Sequence, residues 1–161
     1  MDCSIAAIET AVVDEARRRL RAGDVTVELT TADAPHAFPC RHCLRDAEPG
    51  EKLLLFSHSP FVQPGPYREV GPVFAHLEPC ARSAGGAVPD QLRRRLLAVR
   101  GYDRDQRLIA CDVAEGNELE SLSGAFLARP EVAYVHVRFA RAGCYACRID
   151  RAEAFLAKAP G

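Results

Sequence analysis

The feature that most constrains the fold is the run from Val132 to Asp150. VAYVHVRFA alternates apolar and polar residues, RAG follows, and CYACRID resumes the alternation. Alternation of period two on both sides of a short loop specifies a β-hairpin with one buried face. Arg141-Ala142-Gly143 suits a three-residue loop whose last position needs positive φ, a backbone state that glycine enters without steric cost. Ala140 is then expected opposite Cys144, Phe139 opposite Tyr145, Val137 opposite Cys147 and Val135 opposite Ile149. That face is apolar, so Cys147 belongs to the core. The other face is expected to carry Tyr134, His136 and Arg138 on one strand and Cys144, Ala146, Arg148 and Asp150 on its neighbour.

Other segments extend the pattern. Ile5, Ile8, Val12 and Ala16 recur at helical spacing and predict a helix over Ile5 to Leu20, stopped at Gly23. VTVELT reads as a half-buried strand. KLLLFS follows the Pro49-Gly50 turn signal as a short buried strand in a hairpin with the preceding C-x-x-C segment, and PVFAHL is a further strand. Between them, Ser57 to Gly71 is rich in proline and glycine, a long connection suited to a binding loop or lid. A short helix is expected at Asp90 to Arg95, then a hairpin from LAVRGYD and RLIACDV. A second helix over Glu118 to Leu127 is expected to be capped by Asn117 with Glu120 and ended by Pro130, and a last short helix lies at Ala152 to Lys158. The fold class is α+β: one domain over residues 1–161, a largely antiparallel sheet of hairpins packed by two or three helices.

Hydrophobic residues make up 48% of the 161, enough for one substantial core. The net charge of -1 provides no electrostatic case for nucleic acid or an anionic membrane as partner, and clusters such as Arg17 to Arg19 and Arg93 to Arg95 read as solvated helix faces. No apolar stretch approaches the roughly 18 residues of a membrane span, and the N-terminus lacks a signal-peptide pattern. Seven cysteines, an odd number, argue for reduced thiols over a disulfide framework and for a cytoplasmic location.

Two C-x-x-C pairs, Cys40/Cys43 and Cys144/Cys147, invite the idea of one shared metal site. Side chains three apart on a regular strand point to opposite faces, so Cys144 and Cys147 do not chelate together. A thioredoxin-like dithiol at Cys40 would need a sustained helix after it, and Pro49 leaves too little room. The better fourfold set is Cys40-x-x-Cys43 with His76-x-x-x-Cys80: three thiolates and an imidazole, a ligand set that zinc takes in tetrahedral sites. Against it, neither pair carries the glycine of a metal knuckle, and the thiols could simply be buried. The polar hairpin face supplies the other candidate. Tyr134, His136, Arg138, Cys144 and Arg148 form either a solvated sheet face or the floor of a pocket for a small anionic molecule, with the arginines as donors and His136 as acid or base. None of the common nucleophile-elbow, zinc-protease, phosphate-loop or dinucleotide motifs occurs, so enzyme and binding protein both stay open. A third reading is an interaction or structural protein with no small-molecule site.

The blocks FPCRHCLRDAEPGEKLLL, PYREVGPVFAHLEPC and EVAYVHVRFARAGCYACRIDRA resemble, in order and spacing, the bacterial domain-of-unknown-function family 1203. The resemblance covers residues 34–152, with residues 1–33 least family-like, and implies a small cytosolic bacterial protein. It carries no catalytic residues to this chain.

Overall fold

The computed structural model describes residues 3–152; apart from Ala152, the helix expected at Ala152 to Lys158 lies outside them. Two antiparallel sheets form the scaffold. The larger one is built from β1 (Cys3–Ala6), β8 (Tyr145–Arg151), β7 (Tyr134–Phe139), β5 (Leu96–Tyr102) and β6 (Leu108–Glu115), in that spatial order. The smaller one runs β2 (Val27–Thr31), β3 (Lys52–His58), β4 (Gly71–His76). The helices are α1 (Thr10–Arg21), α2 (Asp90–Arg93) and α3 (Leu119–Leu127).

The α+β class holds, with antiparallel pairing throughout both sheets. One face of the large sheet, with Val135, Val137, Cys147, Leu97 and Val99, packs with Leu119 and Leu127 of α3. Its opposite face meets the small sheet, where Tyr145 joins Phe56, Val73 and, from α1, Val13 and Ala16.

Several local expectations shift. Ile5 and Ile8 are buried as expected, but the helix starts only at Thr10, because Cys3–Ala6 pairs with β8 and places Ile5 opposite Ile149. Adding an edge strand to the sheet satisfies backbone groups and buries Ile5 at once, so tertiary pairing overrides the helical spacing. Gly23 does stop α1, at φ +79. Of the VTVELT segment, Val27 turns inward while Val25 is exposed ahead of the strand. KLLLFS forms β3, but its partners are β2 and β4; the C-x-x-C segment closes on itself through the Pro39–Asp46 bridge and meets β4 through the Cys40–Phe74 bridge.

The capping box sits two residues before the expected Asn117/Glu120 pair. Glu118 accepts the Glu115 backbone N–H at 3.2 Å, and a 3-10 turn, Gly116–Glu118, leads into α3. Gly116 is required there, since a Cβ would lie 1.9 Å from the Leu92 carbonyl oxygen. Arg17 and Arg95 are not solvated faces either. Arg17 donates to the carbonyls of His76 (3.0 Å) and Leu77 (2.8 Å), and Arg95 pairs with Asp46 at 2.9 Å.

The hairpin of β7 and β8 closes with Gly143 at φ +77, as its loop requires. Val135 faces Ile149 and Val137 faces Cys147, but the next pair is Arg138 with Tyr145, so Ala146 is an extra, bulged residue. A one-residue slip reverses the faces beyond it. Phe139 therefore does not face Tyr145, nor Ala140 Cys144; instead the Phe139 N–H donates to the Cys144 carbonyl at 3.0 Å. Tyr145 joins the face of His136, and Cys144 and Ala146 move to the opposite side, which holds Phe139.

Candidate metal centre

Cys40, Cys43, His76 and Cys80 converge: their ligating atoms all lie within 4.8 Å of one another. The His76 ring presents Nδ1 to the group, 3.5 Å from Cys43 Sγ. Zinc bound by thiolate at about 2.3 Å and imidazole at about 2.0 Å makes a tetrahedron whose edges are roughly 3.5 to 3.8 Å. The group fits one such ion. Cys40 and His76 are buried, Cys43 and Cys80 partly so.

The convergence of Cys40 and Cys43 depends on a turn. Residues 41–43 leave the extended conformation, Leu44 adopts φ +55, and the Cys40 N–H closes the turn on the Arg45 carbonyl at 3.1 Å. Amides then point at sulfur. Cys40 Sγ accepts the backbone N–H groups of Cys43 and His76, the latter at 3.4 Å, and Cys43 Sγ accepts that of Arg45. This is the geometry of a metal knuckle, with leucine in the position that glycine usually holds. A left-handed backbone costs a non-glycine residue about 1–2 kcal/mol. Leu44 offsets it by burying its side chain in the core beneath the large sheet. The absence of glycine, which argued against a knuckle in the sequence, is thus met by burial.

Surrounding groups orient the ligands. His76 Nε2 lies 3.2 Å from Glu51 Oε2, and Glu51 is held by Arg45 through two bonds of 3.0 Å and by the Glu48 N–H at 2.7 Å. With Nε2–H donated to this carboxylate, Nδ1 is left as the ligand atom, the arrangement that fixes histidine tautomers at metal sites. Hydrogen bonds from Arg45 and the Glu48 amide hold the Glu51 carboxyl down at about 2. On the other side, Thr10 Oγ1 is 2.9 Å from His42 Nε2, and His42 Nδ1 is 3.3 Å from Cys80 Sγ. A relay of Thr10 O–H to Nε2 and Nδ1–H to sulfur uses every group. Arg17 clamps the carbonyls of the segment leading to Cys80. Glu51, Thr10 and Arg17 gave no sequence signal, because their spacing from the cysteines is long and irregular, and His42, although it lies within the C-x-x-C, acts on the distant Cys80.

Charge defines what the cluster demands. Hydrogen bonds from Cys43 and Cys80 push the Cys40 thiol strongly down, while the thiols of Cys43 and Cys80 are pushed up, first by hydrogen bonding to Cys40 and then by burial. One negative charge is thus stable among the three sulfurs, and ionising the others beside it needs a cation.

The second candidate set is divided. Tyr134, His136 and Arg138 lie together, with Arg148 over the Tyr134 ring at 4.0 Å and chelating Asp150 at 2.7 to 3.0 Å. This face is neither solvated nor an open floor. The 59–70 connection covers it, inserting Phe61 against His136 at a ring separation of 5.0 Å and pairing Glu69 with Arg138 and Arg100. His136 is 0% exposed, ringed by Phe61, Tyr102, Tyr134 and Tyr145, and neither of its nitrogens has a hydrogen-bond partner among the described residues. Burial pushes its pKa down to about 3, so it is a neutral core residue at physiological pH. The Ala146 bulge takes Cys144 out of this group, and its sulfur accepts instead from Arg41 Nη2 at 2.9 Å.

Two antiparallel sheets joined by a leucine-bearing knuckle and a Cys3His cluster define a small α+β domain with a candidate metal centre. The chain belongs to the family described as protein of unknown function (DUF1203), whose model matches residues 37–151. The match takes in all four cluster residues and leaves β1, α1 and β2 outside, although β1 and β2 are edge strands of the two sheets. No curated protein and no solved structure matches the chain. Among the described residues no helix is long and apolar enough to cross a membrane.

Proposed function

We propose that Cys40, Cys43, His76 and Cys80 bind one Zn²⁺ and that the protein is a zinc-stabilised binding module. The observation that carries this reading is the convergence of the four ligand atoms within 4.8 Å, with amides on the sulfurs and a carboxylate behind the imidazole. Four protein ligands close the coordination sphere, and a site without an open position is structural; catalytic zinc keeps a place for water or substrate.

The ion ties the 40–45 knuckle to the end of β4 and to the segment that follows it, adding to the Cys40–Phe74 bridge and to the bond from the Ser83 N–H to the His42 carbonyl at 2.9 Å. Structural zinc contributes on the order of 10–16 kcal/mol at neutral pH, comparable to the whole stability of a small domain. The fold around the knuckle therefore depends on the metal.

Metal analysis of protein purified without chelator tests the reading. About one zinc per chain is expected, together with a lower melting temperature after treatment with a strong chelator and recovery on adding zinc. Well under one zinc per chain, with melting indifferent to chelator, sinks it.

A further inference from the structure

The knuckle that carries Cys40 and Cys43 also carries Arg41, and Arg41 points away from the cluster into a cavity of about 330 Å³. Arg41 is 1% exposed. Its guanidinium donates from Nε to the Tyr145 carbonyl at 2.8 Å, from Nη1 to the Pro39 carbonyl and from Nη2 to Cys144 Sγ at 2.9 Å. Two of its five N–H groups are left over. No carboxylate among the described residues pairs with it: its three hydrogen bonds go to two carbonyls and a sulfur. A buried cation with no carboxylate beside it is costly, and a bound anion relieves it.

The rest of the cavity has the same sign. Arg94, Arg95 and Arg141 line it with Arg41, and the acids are Glu115 in the lining and Asp46, which holds Arg95. Four guanidiniums against two carboxylates leave two positive charges. Arg94 and Arg141 are exposed at the rim, with no carboxylate partner among the described residues. Apart from His36, 3.2 Å from Arg94, and Cys144, the remaining wall is apolar: Phe139, over whose ring Arg41 and Arg95 lie at 4.8 and 4.9 Å, with Phe74 and Leu96. A cavity of about 150 Å³ already holds a benzene ring, so this one has room for a ring and a charged head.

We infer that this cavity is a binding site for a small phosphate monoester with an apolar body, its dianionic head on Arg41, Arg94 and Arg141 and its body against Phe139 and Phe74. Guanidinium forks match phosphate oxygens bidentately, and the head's charge of nearly two at neutral pH matches the excess in the lining. The inference stands on the cavity and does not require the zinc reading, although a metal-held knuckle would keep Arg41 in place.

Phenyl phosphate titrated calorimetrically into the full chain, at about 0.15 M ionic strength, is the test. One saturable site is expected. The double variant R94A/R141A, at exposed positions, should keep the wild-type melting temperature and bind at least ten-fold more weakly, while R21A on the exposed end of α1 should bind like wild type. R41K keeps the charge but loses the fork and should also weaken binding. Absence of a saturable isotherm, or unchanged affinity in R94A/R141A, overturns the site. Inorganic phosphate binding as tightly as phenyl phosphate overturns the apolar part of the inference, and benzyl alcohol binding as tightly overturns the anionic part. Zinc measured on the same samples separates the two readings: zinc-loaded protein that ignores phenyl phosphate refutes only the anion site, and zinc-free protein that binds it refutes only the metal centre.

Discussion

His136 provides a quantitative test of how the two sheets are packed. The imidazole is enclosed by four aromatic rings and has no partner for either nitrogen among the described residues, so it must stay neutral in the folded protein. Burial holds its pKa down at about 3 in the fold, against an ordinary value of 6.5. Below pH 6.5 the unfolded chain binds a proton that the native state refuses, so stability is fully present above that pH and declines as pH falls toward 3. At about 1.4 kcal/mol per unit, the whole shift is worth on the order of 5 kcal/mol, of which about 2 kcal/mol is lost between pH 7 and pH 5. H136L has similar volume and removes the titration. At pH 7 it should lie within about 1 kcal/mol of wild type, because losing ring-edge contacts is offset by losing two unsatisfied buried polar atoms. Urea denaturation of both proteins at pH 7 and pH 5 measures the difference. The cysteine cluster is common to both, so its own acid sensitivity cancels in the comparison. Wild type should lose about 2 kcal/mol more than H136L over this interval. Equal losses would refute the claim that a neutral, unpartnered histidine sits between the sheets, and so would a penalty above about 3 kcal/mol at pH 7, which would mean that the ring nitrogens have partners.

Three further outcomes are expected. E51Q should weaken zinc binding about 10- to 100-fold, the usual effect of losing a carboxylate behind a metal-bound histidine, read by competition with a chromophoric chelator; unchanged affinity would remove Glu51 from the site. L44G relieves the left-handed backbone by about 1–2 kcal/mol but deletes a buried leucine worth about 2–5 kcal/mol, so a net loss of stability is expected in thermal or urea melts, and a gain would mean that the knuckle is strained without compensation. G116A forces a Cβ against the Leu92 carbonyl at 1.9 Å and should cost at least about 1–3 kcal/mol; a neutral result would place the α2 end further from the 3-10 turn.

Much of this molecule is written in neighbouring residues. Alternation from Val132 to Phe139 and glycine at position 143 determine the final hairpin, because strand period and loop backbone are local properties. The spacing Cys40-x-x-Cys43 and His76-x-x-x-Cys80 likewise identified the four residues that converge, since each pair is short enough for its own segment to bring together. Other features were decided by distant contacts. Ile5 continues a helical pattern and yet enters a strand, because the edge of β8 lies within reach. Leu44 holds the glycine position of a knuckle, a conformation that only a buried site beneath the large sheet repays. The bulge at Ala146 sends Tyr145 to the small sheet and Cys144 to Arg41, dividing five residues that the sequence had put on one face. A register slip of one residue changes no local propensity and reverses every side chain beyond it. Periodicity therefore determined which segments are strands and which residues can be ligands, while packing between the two sheets decided which side chains meet.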